Sequence, residues 1–334
     1  MSAATNAVDR SRVGPVDALL AWGGRNAWAV GLLGFLVVLL AFTKTIQPSY
    51  GASAIQGLAI SVLPLALATV AQAIVVISGG IDLSIGSIMA LTSVVAASQM
   101  KGQGEEFGVA VVLAVLLLGI LIGAINGSLV VLTRVPDIVV TLAMSFVWAG
   151  CALLVLKSPG GGSSDWLKEL IKGPLVSEWV PRAAVVLIIV VALVWIPLRR
   201  VRLGLSIYAI GSDRLAAFRS GVSVGRTKVI AYALMGLFAA LGGISLTAST
   251  GIGTPVPGPY TLLSVAAVVL GGVSLAGGRG GVFGPIVAVV ILQLIRTDMT
   301  FLSVDPNLAV VAQGLILIGV VMVGSLIQLR RSRT

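Results

Sequence analysis

The chain has 334 residues, of which 57% are hydrophobic and only 10% are charged, and its mean hydropathy is +1.10. A soluble protein of this length carries about a quarter charged residues, so the composition indicates an all-α polytopic membrane protein and excludes a soluble fold. The apolar residues form long blocks, not the alternating strands of about ten residues that build a membrane β-barrel. The net charge of +10 lies mostly in short loops between these blocks, so membrane topology explains it better than binding to nucleic acid.

The reactive residue types are few. Histidine is absent and Cys151 is the single cysteine. The chain therefore lacks the commonest general base near neutral pH, cannot form an internal disulfide, and has neither a CxxC motif nor an acidic cluster for a metal. We expect no cofactor, no metal site and no catalytic residue. An intramembrane enzyme would have to rely on Asp82 and Ser or Thr alone, which disfavours that alternative.

In chain order, the polar residues 1–26 lack a small-residue cleavage site and predict a cytoplasmic N-terminal tail. Charge-free blocks of about 20 residues then predict about ten membrane spans within a permease domain at 27–329, and 330–334 form a cytoplasmic C-terminal tail. With both termini cytoplasmic, the 22 Lys and Arg are biased about two to one toward the inner side. The expected spans are 27–43, 53–77, 83–99, 109–132, 137–156, 183–198, 229–250, 261–277, 282–295 and 308–328.

Residues 77–93, ISGGIDLSIGSIMALTS, combine a helix break at Gly79-Gly80 with a carboxylate. A charge between two apolar segments costs about 2.5–3.5 kcal/mol on insertion scales. A broken helix at membrane depth is tolerated only where it is buried in protein or lines a cavity. Two interpretations stay open, and both can hold together. Asp82 lies beside a translocation pathway, or Asp82 or Ser84 caps the helix that follows.

The fourth span repeats glycine every four residues, at Gly119, Gly123 and Gly127. This pattern favours close helix packing of the GxxxG kind. Polar residues within the spans are candidates for lining a pathway, although helix packing or backbone hydrogen bonding is an alternative role for each. These candidates are Gln72, Ser84, Asn126, Thr141, Ser145 and Gln313.

Residues 199–228, here called the basic segment, carry seven Lys or Arg and one acid, Asp213, between strongly apolar sequences. Positively charged loops resist translocation, so we predict that this segment is cytoplasmic. Its middle, 213–221, predicts a short helix with Ser212 or Asp213 as N-cap and Gly221 as C-cap. Such a helix is suited to docking a soluble partner. A solvated loop without a partner is the alternative.

A second glycine-rich break lies at 270–285, LGGVSLAGGRGGVFGP. At an offset of 192 residues its GGVSL matches GGIDL at 79–83, with Ser274 at the position of Asp82. Paired interruptions in two halves are typical of internally repeated transporters. The match predicts an internal repeat and adds Ser274 to the candidate pathway residues. The chain contains no P-loop, so any ATP hydrolysis is expected in another polypeptide.

Three blocks of the sequence resemble permeases of monosaccharide ABC importers of the ribose, xylose and galactose type. They are GGIDLSIGSIMALT at 79–92, AIGSDRLAAFRSGVSVGRTKVIAYALMGLFAALGGI at 209–244 and VVLGGVSLAGGRGGVFGP at 268–285. The resemblance covers much of the chain from about residue 50 to 328. It implies a ten-helix permease that dimerises with an identical or paralogous copy. It also implies two cytoplasmic ATPase subunits and an extracytoplasmic substrate-binding protein as partners.

The resemblance also implies roles for particular residues. Those of the coupling helix, which inserts into an ATPase cleft, would be Asp213, Arg214, Ala216, Ala217 and Gly221. Family members often carry acidic residues at this point, whereas here Arg214 follows Asp213. The family aspartate is matched by Asp82.

The chain is therefore interpreted as an importer permease of the bacterial cell membrane that admits a monosaccharide or similar small polar solute by alternating access. A permease for a nucleoside, a branched amino acid or a signalling furanosyl compound shares this architecture and stays open. An ion-coupled secondary transporter is a further alternative. It would need carboxylates within the spans, where only Asp82 is available, and would not need the basic segment.

Overall fold

The computed structural model describes residues 27–256 and 258–305, and beyond them residues 308, 311, 314–315, 318–319 and 322. Both predicted tails, Gln313 and most of the predicted span at 308–328 lie outside the described residues. Apart from two isolated β-bridges, the elements of the described part are α-helices, in agreement with the predicted all-α class. They are α1 Ala27–Ile46, α2 Ala52–Ile77, α3 Ile85–Met100, α4 Glu105–Thr133, α5 Asp137–Val155, α6 Asp165–Ile171, α7 Arg182–Arg200, α8 Arg202–Ser212, α9 Arg214–Arg219, α10 Val224–Thr250, α11 Tyr260–Leu270 and α12 Phe283–Phe301.

Seven of these helices are long and apolar enough to cross a membrane, and each falls on a predicted span. They are α1, α2, α4, α5, α7, α10 and α12. By contrast, α3 and α11 are apolar but have only 16 and 11 residues. At 1.5 Å per residue, α11 reaches about half the thickness of a bilayer core. The expected span at 83–99 includes two residues of the first break before α3, and the expected span at 261–277 includes seven non-helical residues after α11.

Helix α2 lies at the centre of the bundle. Every residue from Val62 to Ile77 is buried, and the helix packs against α7, α10, α11 and α12. A helix that is apolar on all sides is expected to be covered by other helices, and α2 follows this rule.

The glycine repeat of α4 forms its contact with α10. A Cβ at Gly123 would collide with the carbonyl oxygen of Tyr232, and one at Gly127 would lie 2.8 Å from the Tyr232 Cβ. From the other side, Gly236 of α10 sits against the backbone of Gly119. The predicted GxxxG packing is confirmed, since any side chain at these positions would force the two backbones apart.

Both glycine breaks end a helix with the same backbone conformation. The first break, residues 78–84, follows α2 with Gly79 at φ 76°, and the second, residues 271–282, follows α11 with Gly272 at φ 81°. The N–H groups of Gly80 and Val273 donate to the carbonyl five residues earlier, over 3.0 and 3.1 Å. This is the Schellman ending, in which glycine adopts a positive φ without strain. The matching conformations lie 193 residues apart, one more than the offset of the sequence match.

Candidate functional site

The short helix predicted within the basic segment is α9. The Asp213 carboxylate accepts hydrogen bonds from the N–H groups of Leu215 at 2.8 Å and Ala216 at 2.9 Å. These bonds satisfy backbone donors that have no partner within the helix. Of the two predicted N-caps, Asp213 is therefore the one used, because the Ser212 hydroxyl donates instead to the carbonyl of Tyr208 at 3.0 Å.

The end of α9 also follows the prediction. Gly221 has φ 82°, and the N–H of Val222 donates to the carbonyl of Ala217 at 3.0 Å. A helix of only six residues is held in shape mainly by such caps, since it contains few internal hydrogen bonds. Both ends of α9 are thus fixed by its own sequence.

The surface of α9 differs from that of a simple solvated loop. Leu215 is 57% exposed and Phe218 is 67% exposed, whereas Ala217 is buried against the rest of the chain. The polar or small residues Asp213, Arg214 and Ala216 are exposed as well. Two large apolar side chains three residues apart on an exposed basic helix are typical of a contact surface. Leu215 and Phe218 were not predicted as contact residues, although their spacing of three residues places them on one face of the helix.

Upstream of α9, the chain packs against both glycine breaks. The N–H of Gly278, in the second break, donates to the carbonyl of Ile77, the last residue of α2, over 2.9 Å. A Cβ at Gly211, near the end of α8, would collide with that same carbonyl and would lie 2.6 Å from the Gly278 nitrogen. A Cβ at Gly277 would lie 2.9 Å from the Cα of Gly79. Three backbone segments therefore meet at Gly79, Gly211, Gly277 and Gly278, which we name the glycine junction.

A tyrosine strengthens the contact between α8 and the second break. The Tyr208 hydroxyl donates to the carbonyl of Gly280 over 2.8 Å. Burial raises the pKa of the Tyr208 phenol, while the nearby Arg199 charge acts in the opposite direction. The hydroxyl consequently keeps its proton at neutral pH and stays a donor to this carbonyl.

Downstream of α9, a buried ion pair reaches the other glycine of the first break. Lys228 lies inside α10, is 1% exposed, and places its Nζ 2.6 Å from Oδ2 of Asp137. The hydroxyl of Tyr232 donates to the same oxygen over 2.8 Å. A Cβ at Gly80 would collide with this carboxylate and would lie 3.2 Å from the lysine Nζ. Only a glycine fits beside the pair.

The placement of Lys228 departs from the sequence analysis, which counted it among the charges of a cytoplasmic loop. Removing a lysine from water is unfavourable unless a partner of opposite charge is supplied, and Asp137 supplies it. Asp137 was read only as the first residue of a predicted span. A lone carboxylate at the end of an apolar block indicates that a basic partner is needed. The sequence does not identify this partner, because Lys228 lies 91 residues away from Asp137 in the chain.

Asp82, Ser84 and Asn126 are brought together by the fold and are fully buried. Oδ1 of Asp82 accepts from both the N–H and the hydroxyl of Ser84, each over 2.6 Å. The Asn126 amide donates to the Ser84 hydroxyl over 2.8 Å and accepts from the Trp148 indole over 3.1 Å. Asp82 therefore orders the turn before α3, while the Ser84 side chain, at the N-cap position, makes no cap hydrogen bond.

Thr141 ties this network to α5. Its hydroxyl accepts from the N–H of Leu83 over 3.0 Å and donates to the carbonyl of Asp137 over 2.9 Å. The other polar candidates lie apart from it. Gln72 is buried in α2 without a hydrogen-bond partner among the described residues. The Ser145 hydroxyl donates within α5, and Ser274 uses its backbone N–H to reach Arg279 in the second break.

A cavity of about 250 Å³ lies beside these elements, between the start of α3, the end of α10 and the segment leading into α11. The described residues that line it supply hydroxyl groups and an aromatic ring but no charged side chain, and none of them is a predicted pathway residue. This cavity was not predicted from the sequence, although the Gly, Pro and Thr residues at 250–261 indicate a non-helical segment between two apolar blocks. The lining residues are Gly86, Ala90, Leu246, Thr250, Thr254, Val256, Gly258 and Tyr260.

Comparison with known proteins gives consistent results. The family described as branched-chain amino acid transport system / permease component matches residues 54–322. The ribose import permease protein of Escherichia coli (strain K12) is 34% identical over 301 residues, which cover 86% of this chain and 91% of the relative. The fructose import permease protein of Rhizobium meliloti is 32% identical over 259 residues, covering 74% and 71%. The autoinducer 2 import system permease protein of Escherichia coli O9:H4 (strain HS) is 28% identical over 325 residues, covering 92% and 95%. No solved structure matches the chain.

Proposed function

Because the chain belongs to the family of permease components of branched-chain amino acid transport systems, we propose that it is the permease subunit of an ABC importer for a monosaccharide. The relatives named for ribose and fructose import favour a sugar as the solute. ATP is hydrolysed by separate subunits, and this chain converts their movement into alternating access of a membrane pathway. It is a transport subunit and performs no reaction of its own.

The observation that carries this proposal is the exposed surface of α9. A secondary transporter has no reason to hold a short basic helix by caps at both ends with Leu215 and Phe218 uncovered. A cleft in a soluble ATPase subunit would cover these apolar side chains and release the water around them. We therefore assign the docking surface to the exposed residues of α9. Ala217 is buried and packs this helix against the rest of the chain. The docking residues are Asp213, Arg214, Leu215, Ala216 and Phe218.

We place α9 on the cytoplasmic side, since the basic segment resists translocation. Ten spans then lie within residues 27–329. Seven are the long helices, α3 and α11 together with adjoining residues of the glycine breaks are the eighth and ninth, and the tenth is the span predicted at 308–328. The common Schellman endings after α2 and α11 support an internal repeat, in which Gly79 corresponds to Gly272 by conformation and to Gly271 by the sequence match.

The remaining partners follow from the family. The segment 157–182, which contains α6, lies on the opposite side from α9 and is the proposed surface for an extracytoplasmic binding protein. One face of α4 leaves Leu113, Leu117 and Leu121 exposed, and we assign this face to lipid or to a second permease copy.

For the pathway, we propose that solute contacts are made in the cavity, where Thr250 and Thr254 supply hydroxyls and Tyr260 supplies an aromatic face. Weak polar contacts without charges suit a neutral sugar that must be released again. Polar residues of the two breaks and of the neighbouring helices α2 and α4 form a second layer that becomes part of the lining when the breaks move. These residues are Asp82, Ser84, Gln72, Asn126 and Ser274.

The test is purification of the tagged chain from its native membrane in mild detergent, comparing wild type with Phe218→Asp. We expect an ATPase with a P-loop to co-purify with wild type and to be lost with Phe218→Asp, because a buried unpaired carboxylate in the cleft is unfavourable. Val176→Asp is the matched control. It makes the same chemical change at a residue 89% exposed in the segment 157–182 and is expected to retain the ATPase. Recovery of wild-type chain without any ATPase would contradict the proposal.

A signalling furanosyl compound is the second candidate solute, favoured by the autoinducer 2 relative that matches 92% of the chain. Its ring and hydroxyls would use the same cavity chemistry as a pentose. Identification of the ligand held by the co-purified binding protein, by mass spectrometry, separates the two candidates.

A further inference from the structure

We propose that Gly79 and Gly80 are the positions at which movement of α9 is passed to the transmembrane helices. Chain segments on both sides of α9 contact this dipeptide. Upstream of α9, Gly211 packs against Gly79, and downstream of α9, Lys228 and its partner Asp137 pack against Gly80. This inference rests on the proposed function, because it supposes an ATPase that moves α9. It assigns Gly79, Gly80, Gly211 and the Lys228–Asp137 pair as positioning residues for transport.

The upstream contact between Gly79 and Gly211 is made by backbone atoms. At the glycine junction, a Cβ on Gly79 would lie 3.4 Å from the Cα of Gly211, and Gly211 itself has no room for a Cβ. No side chain stands between these segments that could change rotamer and absorb a displacement. A shift of the end of α8 must therefore displace the start of the first break.

The connection from Gly211 to α9 is equally short. Ser212 ends α8, and Asp213 is the single residue before α9 begins at Arg214. The Asp213 carboxylate fixes the entry into α9 through its two hydrogen bonds to the backbone. A displacement of α9 consequently reaches the glycine junction through two residues of chain.

The downstream contact is ionic. Four residues separate the end of α9 from Val224, where helix α10 begins, and Lys228 lies one turn into α10. Its ion pair with Asp137 packs directly against Gly80, so that a side chain at position 80 would collide with the Asp137 carboxylate. A buried pair in a low dielectric resists separation, so α5, α10 and Gly80 move together.

The first break then transmits the displacement to the pathway. Gly79 ends α2 with a positive φ, and α3 starts at Ile85. The next residue, Gly86, and one turn later Ala90, line the cavity. A change at Gly79–Gly80 alters the angle between the central helix and the helix that borders the cavity. The path from α9 to the cavity thus runs through one dipeptide.

The main variant is Gly211→Ala, measured in the importer purified with its ATPase and binding protein and reconstituted in vesicles. We expect the ATPase to stay bound, since the exposed face of α9 is unchanged, and ATP hydrolysis to continue. Solute transported per ATP hydrolysed should fall about tenfold, within the range of usual coupling free energies. Gly281→Ala, in the second break with open space around it, is the matched control and should transport as wild type does.

Tyr208→Phe is the second variant and removes only the hydrogen bond to the Gly280 carbonyl. It should still fold and show a smaller loss of transport per ATP, about fivefold, at the lower end of usual coupling free energies. This variant decides the matter if Gly211→Ala does not fold. Unchanged transport per ATP in the folded variants would overturn the inference, as would loss of the ATPase from Gly211→Ala alone. Failure of wild type to bind an ATPase would instead overturn the proposed function.

Discussion

At the scale of single residues, Asp213 matters because α9 is too short to be stable through its internal hydrogen bonds. We expect Asp213→Ala to lower the affinity for the ATPase by about fivefold, since loss of an N-cap costs about 1 kcal/mol. Asp213→Asn retains an N-cap and should bind almost as wild type does. Titration of the labelled ATPase onto the permease in detergent measures both affinities. Equal weakening by both variants would mean that Asp213 acts through its charge and not as a cap.

Lys228 shows how a buried charge depends on its partner. Lys228→Met should destabilise the protein by about 3–5 kcal/mol, because Asp137 is left with an uncompensated charge beside Gly80. Arg226→Met removes an exposed charge two residues earlier in the same helix and should change the free energy of unfolding by less than about 0.5 kcal/mol. Thermal unfolding of the two detergent-solubilised variants compares them. Similar melting temperatures would show that the pair contributes little.

At the scale of elements, the α4–α10 contact depends on close approach of two backbones. Gly123→Ala should destabilise the bundle by about 1–3 kcal/mol, since its Cβ would meet the carbonyl of Tyr232. Gly150→Ala lies in α5 with nothing near its Cβ, and should be neutral or slightly stabilising because alanine favours a helix. The melting temperatures of both variants provide the measurement. A wild-type melting temperature for Gly123→Ala would show that the helices can separate at no cost.

The sequence predicted those elements that are determined by residues close together in the chain. Apolar blocks located the seven long spans, and the positions of Asp213 and Gly221 predicted both caps of α9. Hydropathy did not predict where α3 begins or where α11 ends, because it does not register where a chain stops being helical. The glycine breaks were predicted as interruptions, but they extend into the expected spans, so that residues 83–84 and 271–277 are not helical.

The candidate site could be predicted only where its contacts are close in sequence. Gly79 and Gly211 meet only after α2, α8 and the second break have packed together. Asp137 and Lys228 are likewise paired by the fold, and each looked like an ordinary boundary charge. By contrast, Asp82 and Ser84 are neighbours, and their interaction was foreseeable, although its form was not.

At the scale of the whole molecule, the described residues place the exposed surface of α9 and the cavity at opposite ends of one continuous path. The path passes from α9 through the glycine junction to the first break and α3. Such an arrangement fits a transport protein that is driven by the movement of separate ATPase subunits bound to α9. An ion-coupled carrier would instead need its carboxylate beside the cavity in which the solute is bound. Asp82 is buried and hydrogen-bonded to Ser84, and it does not line the cavity.

The measurement that most directly tests whether the chain is an ATP-driven importer permease is uptake of labelled ribose into vesicles containing the chain and its co-purified ATPase. ATP is enclosed in the vesicles, and the binding protein is supplied outside. Uptake should require ATP and the binding protein, and collapse of proton and sodium gradients should leave it unchanged. Uptake driven by an ion gradient without ATP, and abolished by Asp82→Asn, would contradict the importer assignment and make the chain a secondary carrier.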